Sequence, residues 1–179
     1  MQILNEQDII NVMNGAALLA AGGGGCFDDG MILLESFKKN HPNKPITVRL
    51  VDVSEIEDGA CAAVVAGMGA PTEGAGKDFT PCAVDAFAEV QRMAAEMGKG
   101  VHYTMPVEMG AFNTFVPMLI SLMTGLPTLD ADAAGRAVPL YRGWIRCFRI
   151  STAAPQAHWR WPTTMATSPT FAAPIPMTR

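Results

Sequence analysis

Three carboxylates and a guanidinium flank one apolar segment. Glu108 precedes Phe112–Met123, and Asp130, Asp132 and Arg136 follow it as an Asp-x-Asp-x-x-Gly-Arg cluster. A carboxylate can take a proton from water as a general base, or offer hard oxygen ligands to a divalent cation. The planar fork of an arginine suits bidentate pairing with a carboxylate. At a strand end the aspartates and arginine stand evenly between a ligand site and a structural ion-pair network, and Glu108 has the competing role of capping the next helix. Between these groups the apolar segment is long enough for a buried helix, and Gly125 and Pro127 punctuate its end. Polar groups at both ends of one buried element place candidate chemistry on a rigid support.

The elements around that segment follow from periodicity. Leu4–Ala21 has apolar residues at helical spacing (Ile9, Ile10, Met13, Ala16, Ala17, Ala20), with Asn5 placed to cap and Glu6 and Asp8 in the first turn. It runs into Gly22, Gly23, Gly24 and Gly25, and a helix end needs only one left-handed glycine, so this run marks a place where bare backbone is required. A second helix is predicted from about Asp28 to Lys39, a strand over Ile46–Val53, an acidic turn over Ser54–Gly59 and a buried strand over Ala60–Ala66. The turn Gly67-Met68-Gly69-Ala70-Pro71 lets backbone approach a ligand, although it has neither GxGxxG spacing nor a GK[ST] ending. Ala83–Met97 is amphipathic, with Val84, Phe87, Val90 and Ala94 inward and Glu89, Arg92 and Glu96 outward. Strands over Val101–Met105 and Leu126–Leu129 bracket the apolar helix, and the second ends at Asp130. This order predicts an α/β fold, a mixed sheet flanked by helices.

Composition removes several classes of function. A net charge of -4 with 17% charged residues argues against a nucleic-acid partner, and no apolar run approaches the ~20 residues a membrane span needs. Acidic residues near the N-terminus, where a signal peptide is basic, point to the cytoplasm. Cys26, Cys61, Cys82 and Cys147 form no CxxC pair, so free buried thiols are expected rather than a zinc ribbon or a disulfide framework. Cys26 lies beside the glycine run but has no identifiable histidine partner, and His102 reads as a structural residue in a strand.

The character changes after Pro139. All three tryptophans and five of the eight arginines lie beyond it, with no Asp, Glu or Lys and no periodicity. Because tryptophan has a single codon, Gly143-Trp144-Ile145-Arg146 reads in the adjacent frame as a sequence permitting Met-Asp-Thr. The expectation is an N-terminal α/β domain over 1–139, incomplete, and an irregular, frameshifted tail over 140–179.

GGGG at 22–25, GMGAP at 67–71, PVEMGAFN at 106–113 and GLPTLDADAAGRAVP at 125–139 together resemble the S-methyl thiohydantoin desulfurase N-terminal-domain family. Members are often encoded near, or fused to, hydantoinase/oxoprolinase proteins. The chain departs from the family pattern at Cys26-Phe27, where Asp-Pro is usual, at Ala111, where a second glycine is common, and at Ala133-Ala134, where Gly-Met is usual. The resemblance implies a hydrolase that removes the sulfur substituent from a small thiohydantoin-type ring. Such chemistry needs an activated water and stabilisation of a tetrahedral intermediate. The implied roles are base or divalent-metal ligand for Glu108, Asp130 and Asp132, ring-amide binding for Asn113, a substrate carboxylate on Arg136, and backbone N–H groups from Gly22–Gly25 and Gly69. The resemblance also implies a hydantoinase/oxoprolinase-type partner, with a non-catalytic regulatory subunit as the alternative, and a homo-oligomeric state is compatible with either.

Overall fold

Helix α1 (Glu6–Ala20) starts where the cap residues place it. Asn5 accepts from the Asp8 N–H at 3.1 Å, and Asp8 accepts from the Asn5 N–H at 3.0 Å, so two otherwise orphaned donors are satisfied reciprocally. The computed structural model describes residues 1–21, 23–67 and 75–135, together with the backbone of 146–149. Its other helices are α2 (Phe27–Asn40), α3 (Thr80–Glu96) and α4 (Ala111–Thr124).

Six strands form one mixed sheet: β1 (Gln2–Leu4), β2 (Val48–Val51), β3 (Cys61–Val64), β4 (Tyr103–Met105), β5 (Thr128–Leu129) and β6 (Arg146–Arg149). The order across it is β1-β2-β5-β4-β3-β6. The four central strands are parallel, and β1 and β6 pair antiparallel at the two sides. Two of these strands depart from the sequence reading. β1 is three residues long with Ile3 facing water, too short to show an alternation, and β6 gives regular backbone to a segment expected to be irregular.

The helices pack together on one face of the sheet, where Ile9, Met13, Leu33, Leu34, Phe37, Phe87, Val90, Phe115 and Leu119 join Val48, Ala63 and Val65 in one core. The opposite face carries Val51, Ala62, Val64, Met105 and Leu129. There Ile56 and Ala60, from the connection between β2 and β3, pack against them. That alternation along β3 explains its uncharged, Val-containing sequence, since both sides of a central parallel strand are buried.

At the centre lies α4. Every residue from Ala111 to Leu122 is buried, which accounts for a run that is apolar on all sides rather than amphipathic. Its polar groups are satisfied internally. Thr104 Oγ1 donates to the Pro117 carbonyl at 3.0 Å, it lies 3.0 Å from Thr128 Oγ1, and Ser121 Oγ donates to the Leu126 carbonyl. With no basic residue in its own last turn, α4 borrows cations for its C-terminal end. Lys44 Nζ donates to Met123 O at 2.9 Å and Arg49 Nη2 to Gly125 O at 2.6 Å. Among the described residues, no helix is long and apolar enough to cross a membrane.

Candidate functional site at the carboxyl edge of the sheet

Because β3, β4 and β5 are parallel, the residues that follow them leave the sheet at the same edge. Gly67 follows β3, Glu108 follows β4, and Asp130–Gly135 follow β5. This carboxyl edge is where open α/β sheets take ligands. The last two segments run side by side there, with Ala133 N–H donating to Pro106 O at 3.0 Å and Ala134 N–H to Val107 O at 2.9 Å. Glu108 and the Asp130–Asp132 pair therefore come from adjacent segments, although 22 positions separate Glu108 from Asp130 in the chain.

The first turn of α4 gathers the loops. The Asn113 N–H donates to Gly24 O at 2.9 Å. Its side chain donates from Nδ2 to Glu108 Oε1 at 3.2 Å and accepts at Oδ1 from the Gly67 N–H at 2.9 Å. Asn113 is only 2% exposed and Glu108 7%, so this carboxylate is held among buried partners rather than solvated. The N-cap position of α4 is taken by Gly110, without a side-chain cap bond. The Asn113 carboxamide, assigned from sequence to a ring amide, faces Gly67 and Glu108 with both of its polar ends.

The glycines answer mainly to packing. A Cβ on Gly24 would stand 2.6 Å from Met109 O and 2.7 Å from Gly110 Cα, and one on Gly110 would stand 2.3 Å from Gly24 Cα. Gly25 and Gly67 are closed in by Phe112, whose Cβ lies 2.6 Å from a Cβ built on Gly25 and whose Cε1 lies 2.4 Å from one on Gly67. On the side where a Cβ would stand, the bare backbone of Gly24 and Gly25 thus meets protein. Gly23 closes the end of α1, donating to Ala20 O at 3.0 Å. Sequence reasoning missed Gly110 and Phe112. Their partners lie some 85 positions away at 24–25, and the one available signal was that a glycine sits two positions after the motif carboxylate.

Asp130 is exposed, and its N–H extends the ladder to Val51 O at 2.9 Å. Asp132 is half-buried, and its Oδ1 accepts from Gly135 N–H at 2.8 Å in a local turn. Neither aspartate is in an ion pair among the described residues. Gly22, Gly69 and Arg136 lie outside those residues. No group of three or more His, Cys, Asp or Glu side chains among the described residues is placed to hold a metal ion, so the three carboxylates do not form a ready cation cage.

Two thiols differ from expectation: Cys26 and Cys82 are exposed, and only Cys61 among the described cysteines is buried. Cys26 Sγ donates to Asp29 Oδ2 at 3.0 Å, while the other Asp29 oxygen accepts from Gly76 N–H at 2.9 Å. The hydrogen bond to Asp29, and then burial, push the Cys26 thiol above its ordinary range, the opposite of what activates a nucleophile. His102 has the structural role expected of it, accepting the Cys61 N–H at Nδ1 at 3.1 Å.

A mixed sheet whose parallel central strands bring a buried carboxylate and two aspartates into neighbouring segments at their carboxyl edge defines an α/β domain. The chain belongs to the S-Me-THD-like N-terminal domain family, whose model matches residues 7–166. It is similar to the crystal structure of a protein from Chromobacterium violaceum, with 32% sequence identity and a TM-score of 0.69 over 79% of this chain. The chain spans 38% of the length of that protein's chain. No curated protein matches it.

Proposed function

We propose that this domain supplies part of a hydrolytic site for a small thiohydantoin or hydantoin ring, with Glu108 as the general base. The single observation that carries this reading is a carboxylate held by a buried asparagine at the carboxyl edge of the parallel strands, in a chain of this family. Glu108 takes a proton from water as the water oxygen bonds to the ring carbon bearing the S-methyl group. The C=N electron pair moves to the ring nitrogen as the C–O bond forms. The tetrahedral intermediate then breaks its C–S bond, the proton held by Glu108 passes to the leaving thiolate, the hydroxyl proton passes to the ring nitrogen, and methanethiol and a ring amide carbonyl result. Asp130 and Asp132, from the segment alongside, orient the ring, and Arg136, the next charged residue in the chain, takes a substrate carboxylate. The intact protein is expected to release thiol from an S-methyl thiohydantoin, followed with a chromogenic thiol reagent. Saturable ring binding without thiol release would replace the hydrolase reading with that of a binding subunit for a hydantoinase/oxoprolinase-type partner.

The compositional break after Pro139 supports a shifted reading frame over 140–179. Sequencing the source DNA across codons 136–150 is expected to show an inserted or missing base. An unambiguous in-frame read shared by near relatives would remove that reading.

A further inference from the structure

We infer that Asn113 is the positioning residue of this site, a single side chain that fixes the Glu108 carboxylate and the start of the loop after β3 against each other. The inference rests on the base role proposed for Glu108. Three hydrogen bonds carry it, and each reaches a different segment: Asn113 N–H to Gly24 O at 2.9 Å, Gly67 N–H to Asn113 Oδ1 at 2.9 Å, and Asn113 Nδ2 to Glu108 Oε1 at 3.2 Å. A carboxamide offers an acceptor and a donor side by side without change of protonation, as a backbone N–H and a carboxylate together demand. Aspartate lacks the donor, and leucine lacks both.

Rotation of the carboxamide is blocked chemically. A flip about the last torsion would set Nδ2 against the Gly67 N–H and Oδ1 against the Glu108 carboxylate, donor against donor and acceptor against acceptor. The side chain is also 2% exposed, so water cannot take over either contact. Phe112, one residue earlier, closes on Gly25 and Gly67 and holds the same segments from the apolar side. Displacing Asn113 therefore moves the base and the β3 loop together, and a reacting group misplaced by a fraction of an ångström loses rate more than affinity.

Two variants and two kinds of readout test this in the 179-residue chain and in the intact protein. In the chain, Asn113→Ala is expected to raise amide exchange at Gly67 at least about tenfold and to shift the Glu108 side-chain carboxyl carbon resonance, assigned with Glu108→Gln. Asn113→Asp keeps an acceptor for Gly67 and is expected to retain most of that amide's protection while still displacing the Glu108 resonance. In the intact protein both variants are expected to lower kcat, expressed per folded enzyme from an unfolding curve taken beside each assay, about ten- to a hundredfold with KM within about threefold. A fall in apparent kcat that matches the loss of folded protein would instead mark general destabilisation and overturn the positioning role. Unchanged Gly67 exchange and an unmoved Glu108 resonance in both variants would overturn the positioning role. So would loss of turnover in Glu108→Gln with none in the two Asn113 variants. If the wild type turns over and Glu108→Gln turns over equally well, the base reading fails instead, and the positioning role falls with it.

Discussion

Gly110→Ala is expected to destabilise the chain by about 3 kcal/mol or more, at the upper end of what overpacking costs, because the atoms it meets are backbone and have no rotamer to escape into. A Cβ there would lie 2.3 Å from Gly24 Cα and 2.5 Å from both Gly24 C and Gly24 O. Relief requires the 23–25 segment to move away from the first turn of α4, which would stretch the Asn113 N–H to Gly24 O bond and lift Gly25 off Phe112. The φ of Gly110 is 168°, ordinary extended backbone, so the cost is contact alone. Gly15→Ala makes the matched control. It lies within α1 with nothing within 4 Å of the added methyl, and alanine at a helical position is expected to stabilise by about 0.5–1 kcal/mol. Urea unfolding of the two variants beside the wild type reads both signs. A Gly110→Ala variant within about 0.5 kcal/mol of the wild type would mean that Gly24 and Gly110 are not in contact in solution.

The Gly24–Gly110 contact also shows where sequence reasoning stops. Helices α1 and α3 were legible because a 3.6-residue apolar stripe and cap residues are local signals. The α4 run was legible because continuous burial leaves continuous apolar sequence. The placement of Glu108 and Asp130 at strand ends followed from the short apolar runs before them. What the glycine run does was not legible. A run of glycines says only that side chains are excluded, and whether a ligand or another backbone excludes them depends on a contact between residues 24 and 110. The partners of Asn113 were not legible either, since its carboxamide is engaged by Gly67 and Glu108, one distant in sequence and one five positions back. β1 escaped notice because three residues against β2 carry no period of their own.

The buried contact between Asn113 and Glu108 makes Glu108→Gln the most informative substitution for function. In the intact protein it is expected to lower thiol release from an S-methyl thiohydantoin by about 10²–10⁴-fold, the range a general base contributes. The amide has the volume of the carboxylate, and its oxygen can still accept from Asn113 Nδ2, so little of the loss should come from unfolding. The unfolding free energy is expected to fall by about 1 kcal/mol for the bond to Asn113 losing its charge assistance, read by urea unfolding. Asp132→Asn separates a base from a merely negative neighbour. Its side-chain oxygen can still accept the Gly135 N–H that Asp132 Oδ1 now accepts at 2.8 Å, so charge is removed while the turn is kept. If Glu108 is the base, Asp132→Asn is expected to change KM more than kcat, because a group that orients the ring acts on binding while the base acts on the chemical step. The opposite split, with Glu108→Gln retaining turnover within tenfold and Asp132→Asn abolishing kcat, would transfer the base role to the segment after β5. Glu108 would then be left as the buried anchor that Asn113 holds in place.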